Sequence, residues 1–202
     1  SRGANGVVLI TTKKGKPGKP LINANVYSGV SRITRHIDML DTRQYVKMRL
    51  EALRNDGLIP DADNAPDLTV WDTTRYTNFK DLLLDNSASI TNVQLSLNGG
   101  NNRFNYLIGT SYNHQTTVFP GSFADNRATL HMHLKHHSAG NKFRAGLSLL
   151  YSYDKNTSII KDLTEFIDQP PNMPSFYDSA GNFSWQQGGK PFDNPMAYLK
   201  QP

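Results

Sequence analysis

Five stretches of the sequence alternate between apolar and polar residues, and this alternation constrains the fold more than any other feature. A period of two places all the apolar side chains of a β-strand on one face. The apolar positions are Ile22, Ala24, Val26 and Val30; Val93, Leu95 and Leu97; Phe104, Tyr106, Ile108 and Tyr112; Ala128, Leu130, Met132 and Leu134; and Phe143, Ala145, Leu147, Leu149 and Tyr151. None of these faces carries a charge. The sequence therefore predicts an all-β fold with about five long strands, each apolar on one side.

Two architectures accommodate such strands, and the length of the stretches and the position of aromatic residues distinguish between them. A soluble β-sandwich packs its apolar faces together, whereas an outer-membrane barrel turns them toward lipid. Each stretch runs for about 9 to 11 residues, the length that a tilted strand needs to cross a bilayer. Phe104, Tyr112 and Tyr151 stand at or near the ends of stretches, where an interfacial girdle would place them. The prediction is part of a transmembrane antiparallel β-barrel.

The connections between the stretches alternate between long and short. The longer connections are 33–89, 114–126 and the segment from residue 155 onward, and the shorter ones are 99–102 and 136–141. Outer-membrane barrels join their strands by tight periplasmic turns and by larger extracellular loops. We therefore expect the short connections on the periplasmic side and the long ones at the cell surface.

One segment of the first long connection changes to helical spacing. Asp41 and Gln44 have the spacing of a capping box, in which each residue hydrogen-bonds to the backbone of the other. The sequence thus predicts one helix over 41–55, within a long extracellular loop. The residues 58–71 and the proline-rich segment from 156 to the end are predicted to be irregular.

Composition narrows the class of function. The chain has 202 residues, of which 37% are hydrophobic, its mean hydropathy is −0.55, and it contains no cysteine. A disulfide scaffold and a thiolate metal site are thereby excluded within this chain. The net charge is +5, but the densest basic run, 13–19, is broken by glycine and proline and has no interleaved aromatic residue. Nucleic-acid binding is therefore not expected.

Candidate residues for chemistry are few. His131 and His133 share one face of a predicted strand, yet no acidic or thiolate partner adjoins them, so we expect lumen-lining histidines and no metal site. The glutamates are Glu51 and Glu165, and neither belongs to a recognisable acid–base pair. The sequence predicts a protein that is not an enzyme and that needs no cofactor.

Four aromatic residues near the C-terminal end are candidate contact residues. Tyr177, Phe183, Trp185 and Tyr198 are predicted to lie in a long loop, where aromatic rings stack on sugar rings or contact a partner protein. The same residues are equally suited to packing the loop itself. Both interpretations stay open at the level of sequence.

The start of the chain resembles a known signature. The run SRGANGVVLITTKKG, residues 1–15, is similar to the end of the plug domain in SusC/RagA-type TonB-dependent outer-membrane transporters. Residues 94–101, QLSLNGGN, resemble the second barrel strand and turn of the same family. The signature positions singled out are Arg2, Gly3, Asn5 and Gly6.

This resemblance implies a domain order, a location and partners. Residues 1–15 would end the plug domain and residues 16–202 would form the N-terminal part of the barrel, with further plug and barrel strands expected outside this chain. The implied function is part of an active importer of oligosaccharides or peptides in the outer membrane of a Gram-negative bacterium. The implied partners are a SusD-like surface lipoprotein, TonB acting through upstream segments, and outer-membrane lipid. The alternative is a secreted, β-rich carbohydrate-binding module, which would have to hide its apolar faces from water.

Overall fold

One five-stranded β-sheet dominates the fold. The computed structural model describes residues 13–35, 37–84 and 87–200. The strands are β1 (Gly18–Ser31), β2 (Ala88–Gly100), β3 (Phe104–Thr116), β4 (Ala124–His137) and β5 (Arg144–Asn156). They are antiparallel and neighbour one another in chain order, so the sheet is a simple meander. The predicted mainly β fold with five long strands is confirmed, and the sheet is not closed within the described residues. The signature positions Arg2, Gly3, Asn5 and Gly6 lie outside those residues.

The strands are longer than the sequence predicts, and the turn between β2 and β3 is tighter than expected. Each strand has 13 or 14 residues. The side chain of Asn101 accepts hydrogen bonds from the backbone N–H groups of Arg103 (2.8 Å) and Phe104 (2.9 Å). The connections 117–123 and 138–143 are almost equal in length, so the expected alternation of short and long is weak at this point.

Polar contacts between neighbouring strands occur on both faces of the sheet. The hydroxyl groups of Ser28 and Thr91, which stand in register with the apolar positions, lie 3.3 Å apart across β1 and β2. Those of Ser111 and Thr129, on the polar face, lie 2.6 Å apart across β3 and β4. On the opposite face, large apolar side chains of all five strands are exposed. They include Ile22, Val26, Val30, Val93, Leu95, Phe104, Tyr112, Leu130, Leu147, Leu149 and Tyr151.

The predicted helix in the first long connection is confirmed as α1 (Thr42–Asn55), and its start follows the predicted capping box. The Asp41 carboxylate accepts a hydrogen bond from the backbone N–H of Gln44 at 2.8 Å, and the Gln44 side chain accepts one from the backbone N–H of Asp41 at 3.0 Å. These two bonds satisfy backbone donors that the first turn of a helix leaves without partners.

The prediction that 58–71 and the segment after 156 are wholly irregular is wrong in detail. Pro66 begins a short helix because its ring fixes φ near the helical value. No long strand follows residue 156 among the described residues, as predicted, but short elements do occur. The additional elements are α2 (Pro66–Thr69), α3 (Phe79–Leu84), two 3₁₀-helices (Leu163–Phe166 and Pro195–Lys200), and the two-residue strands β6 (Gln186–Gln187) and β7 (Lys190–Pro191).

A half-buried charge network joins α1 to α2. Asp67 accepts hydrogen bonds from Nε of Arg49 at 2.9 Å and from the hydroxyl of Tyr45 at 3.0 Å. Burial alone would raise the pKa of Asp67, but the hydrogen bonds from Arg49 and Tyr45 outweigh it and hold that pKa below its usual value. Burial raises the pKa of Tyr45 far above its ordinary value, and the Asp67 carboxylate raises it further. The side-chain amide of Asn172 adds a bond to the Asp67 carbonyl at 2.6 Å.

The chain divides into two compact units. The sheet unit comprises Ser1–Gly29, Ile90–His114 and Asp125–Lys155, and the loop unit comprises Val30–Ser89, Gln115–Ala124 and Asn156–Pro202. The loop unit contains the hydrophobic core of the described residues, which is formed by Phe79, Leu83, Leu84, Leu163, Phe166, Met173, Phe176 and Phe192. Segments that connect the long strands therefore build a core of their own. None of the helices described is both long and apolar enough to cross a membrane.

Candidate functional site

Three of the four predicted contact residues form one cluster in the loop unit. The rings of Tyr177 and Phe183 lie 5.4 Å apart, and the rings of Phe183 and Trp185 lie 6.2 Å apart in an edge-on arrangement. We call Tyr177, Phe183 and Trp185 the aromatic shelf. Nζ of Lys200 lies 4.7 Å from the ring centre of Phe183, a distance suited to a cation–π interaction. Trp185 is 50% exposed, so the shelf has an open edge.

A tight turn brings Tyr177 and Phe183 together. They pair through an isolated antiparallel bridge, and the intervening turn closes on Asp178, whose carboxylate accepts backbone N–H groups of Ala180 (2.9 Å) and Asn182 (2.8 Å). The backbone hydrogen bond from Asn182 lowers the pKa of Asp178. Gly181 has φ of +82°, a conformation that side chains disfavour. The shelf therefore rests on a locally specified turn.

A buried asparagine supports the turn from below. Nδ2 of Asn194 donates to the carbonyls of Phe176 (2.8 Å) and Ser184 (2.9 Å), one on each side of the shelf turn. Asn194 has no exposed surface, so these bonds form away from water, where loss of a partner is costly. The sequence analysis assigns no role to this residue, which a proline follows. Asn172, which is also fully buried, stands next to a proline as well.

The remaining predicted aromatic residue, Tyr198, belongs to a separate stack. Its ring lies 5.7 Å from that of the buried Phe166 in a stacked arrangement. Nζ of Lys161 lies 4.6 Å from the ring centre of Phe166 and 5.2 Å from that of Tyr198. Tyr198 thus packs against the core of the loop unit, in which Phe192 is also buried.

The polar face of the sheet unit forms a second candidate surface. A cavity of about 290 Å³ lies over β1 to β4. Amide and hydroxyl side chains predominate in its lining, a composition that suits hydrogen bonding to a polar ligand or to another polypeptide segment. The polar lining residues are Asn23, Asn25, Gln94, Ser96, Thr110, Ser111 and His131.

The segment before β1 runs across this polar face. The backbone N–H of Lys16 donates to Oδ1 of Asn98 at 3.0 Å, and Lys13 lines a cavity of about 490 Å³ together with His133 and Ser148. Gly15 lies so close to β3 that a Cβ at this position would stand 2.6 Å from the backbone carbonyl of Tyr106. Only glycine permits this approach without displacement of the segment.

The two histidines of β4 line the polar face, as predicted. The imidazole of His131 lies directly over Gly109 of β3, where any side chain would collide with the ring. Both His131 and His133 line the cavity that also contains Lys13. Among the residues that the structure describes, no group of three or more His, Asp or Glu side chains is arranged to hold a metal ion.

Comparisons with known proteins give consistent results. No family model matches the chain. TonB-dependent receptor P39 of Formosa agariphila is 33% identical over 165 residues, which are 79% of this chain and 15% of that protein. TonB-dependent receptor P26 of the same organism is 27% identical over 98% of this chain and 20% of that protein. A third relative, TonB-dependent receptor P3, is 32% identical over 55% of this chain and 10% of its own length.

One solved structure shares the fold. The structure of the RagAB peptide transporter matches 98% of this chain and 26% of the transporter chain, with a TM-score of 0.63 and 18% sequence identity. At that identity, the match concerns the fold. The chain spans between 10% and 20% of the length of the three curated relatives.

Proposed function

Because this chain is homologous to TonB-dependent receptors, as its sequence predicts, we propose that it forms part of the wall of an outer-membrane barrel that imports nutrients. In this proposal β1 to β5 span the outer membrane of a Gram-negative bacterium as consecutive barrel strands. Residues 1–15 end the plug domain, and the loop unit faces the cell surface. Transport is driven by TonB, which acts through the plug.

The exposed apolar face of the sheet carries this proposal. Ile22 is 67% exposed, Val26 is 66% exposed and Leu147 is 51% exposed. Burial of apolar surface stabilises a protein by about 25 cal/mol per Å², so leaving a row of such side chains exposed across five strands is unfavourable in water. Lipid removes that cost, and the strands are long enough to cross a bilayer.

The opposite face supports the assignment of a lumen. Asn23, Gln94 and Ser111 present amide and hydroxyl groups there, and the segment containing Gly15 crosses the same face. The interior of an outer-membrane barrel is polar, and a plug occupies it in large transporters. A carbohydrate-binding module in water would instead have to cover the apolar face, which is uncovered in the described residues.

The aromatic shelf supports a role in recognition. Trp185 and Phe183 offer an open aromatic edge beside the cation of Lys200. Aromatic faces bind the C–H surfaces of sugars and the side chains of peptides. We place oligosaccharides or peptides here as cargo, delivered by a SusD-like surface lipoprotein that closes over the barrel.

Growth and uptake assays test the proposal. The gene is deleted in its host, and uptake of fluorescently labelled oligosaccharides and peptides is compared with that of a strain complemented with the wild-type gene. We expect loss of uptake for one class of nutrient, restoration by the wild type, and the protein in the outer-membrane fraction. A protein recovered in the soluble, secreted fraction would refute the barrel and favour the binding module.

The shelf is tested in the same strains. Trp185→Ala should reduce uptake at low nutrient concentration, because a stacking contact is lost. Tyr76→Ala, which removes another exposed aromatic residue of the loop unit outside the shelf, is the matched control. Equal uptake by the two variants would remove the shelf from the recognition surface and leave the transport function in place.

A further inference from the structure

A groove runs along the outer side of helix α1. Its volume is about 710 Å³, and residues of the helix line one wall while Thr73 and Thr74 line the other. Three cations, Arg43, Lys47 and Arg54, point along the helix wall. Their spacing of four and seven residues places them on a single face of an α-helix. The groove lies entirely within the loop unit.

The charges of the groove are not neutralised from within the described chain. None of these three cations forms an ion pair or a side-chain hydrogen bond with any residue that the structure describes. Glu51 is the one carboxylate of the lining. The nearby Asp72 is engaged by the backbone N–H (2.8 Å) and the hydroxyl (2.6 Å) of Thr74. The groove therefore carries an excess of positive charge.

Apolar side chains lie between the cations. Val46 and Leu50 line the groove, and Leu50 is 42% exposed although it belongs to a helix whose other side packs against the loop unit. A groove with an apolar strip and flanking cations resembles surfaces that bind amphipathic peptides of negative charge. A flat bilayer surface would contact the helix but could not enter between it and Thr73, so concavity favours a narrow ligand.

We propose that this groove binds an acidic, partly apolar peptide segment of a partner protein. Arg43 and Arg54 are eleven residue steps apart, which correspond to about 16.5 Å of helix at 1.5 Å per residue. An extended peptide covers that distance in about five residues. The bound segment therefore carries about three carboxylates within five or six residues, with an apolar side chain facing Val46 and Leu50. The inference rests on the proposed function only in that the loop unit lies outside the bilayer.

Peptide binding to the full-length protein in detergent tests the inference. The probe is a fluorescent peptide of sequence Glu-Leu-Glu-Leu-Glu-Ala, and its binding is followed by anisotropy at low and at physiological salt. The test variant combines Arg43→Ala, Lys47→Ala and Arg54→Ala. Since an exposed ion pair is individually weak, removal of three should weaken binding about tenfold. Salt should weaken binding of the wild type and have little effect on the variant.

Two controls separate this groove from general electrostatic attraction. The first control is a variant that combines Lys135→Ala, Lys142→Ala and Arg144→Ala. It removes the same charge from β4, β5 and the turn between them, and it should bind the probe as the wild type does. The peptide Gln-Leu-Gln-Leu-Gln-Ala should not bind. Equal weakening in both triple variants, or equal binding in both, overturns the proposal.

Two further measurements distinguish the remaining outcomes. Vesicles with anionic phospholipid are offered in place of the peptide, and binding of vesicles but not of peptide would refute a peptide site and indicate a lipid-binding helix. Nutrient uptake is measured in the same strains. Absence of nutrient uptake by the wild-type strain would refute the transport function, whereas normal uptake with no peptide binding would refute only the groove.

Discussion

The sheet unit is regular in structure but exposes apolar side chains, whereas the loop unit is less regular but buries them. The strands of the sheet unit are long and regular, yet Val26 is 66% exposed and Leu147 is 51% exposed. The loop unit consists of short helices and turns, yet Leu83 and Leu163 are completely buried in it. A unit that forms its own core is adapted to water. A sheet that leaves one apolar face uncovered requires an apolar environment, which supports the proposal that lipid supplies it.

The largest expected effect is at the core of the loop unit. Leu163→Ala should destabilise this unit by about 2 to 5 kcal/mol, because a buried leucine loses its transfer energy and leaves a cavity. Hydrogen–deuterium exchange of peptides covering 163–176 in the full-length protein measures the loss. Leu147→Ala in β5 is the matched control, and it should change exchange of its own strand little in detergent. Similar effects at both positions would abolish the contrast between the units.

A charge placed on the two faces of the sheet should have unequal effects. Leu95→Arg should impair assembly into the outer membrane, since arginine at mid-membrane depth on the lipid face costs about 2 to 4 kcal/mol. Ser96→Arg, one residue further along β2, should be mild because Ser96 lines the polar cavity. The amount of folded protein in outer membranes measures both. Equal tolerance would contradict the assignment of lipid and lumen faces.

The same comparison explains what the sequence could predict. The five strands and α1 follow from patterns within a few residues, namely alternation and the Asp41–Gln44 capping box. The faces follow too, since alternation alone assigns them. The ends of β2 and β3 did not follow. The Asn and Gly residues of 99–102 indicate a longer turn than the one that forms, in which the side chain of Asn101 binds the backbone N–H groups of Arg103 and Phe104.

The loop unit was less predictable because its contacts join residues that are distant along the chain. Asn172 bonds to the carbonyl of Asp67, and Asn194 fixes the shelf turn, yet neither belongs to a periodic pattern. The close approach of Gly15 to the backbone of Tyr106 likewise depends on tertiary structure. Of the candidate site, the sequence supplied the aromatic residues, but only the fold separates Tyr198 from the shelf.

The network around Asp67 should make the loop unit sensitive to acid. Asp67→Ala should cost about 1.5 to 3 kcal/mol, because it removes hydrogen bonds to a charged group and leaves Arg49 without its partner. The folded state lowers the pKa of Asp67, so its stabilisation is present above the unfolded value near 4 and is lost as pH falls below it.

Exchange of peptides covering 42–55, measured between pH 3 and pH 6 with correction for the intrinsic rate, tests this. The wild type should lose protection of α1 as the pH falls below about 4, and Asp67→Asn should show a flatter profile from a lower starting point. The same slope in both proteins would assign the acid sensitivity to other carboxylates.

The smallest effect is expected for the ion pair of the sheet unit, and it sharpens the comparison most directly. Arg127 and Asp154 join β4 to β5 at 2.7 Å, a shorter distance than the 2.9 Å between Arg49 and Asp67. The side chains of Arg127 and Asp154 are 54% and 42% exposed, whereas that of Asp67 is 7% exposed. Solvent screens an exposed pair, so a double-mutant cycle with Arg127→Ala and Asp154→Ala should give a coupling energy of about 0 to 1 kcal/mol.

That coupling should also fall with salt, because both charges face water. Exchange of peptides from β4 and β5 measures it in the full-length protein at two salt concentrations. A coupling above about 2 kcal/mol, insensitive to salt, would mean that other parts of the intact protein bury the pair. The polar face of the sheet would then be a packed interface at this end, and the contrast in burial between the two units would be confined to the apolar face.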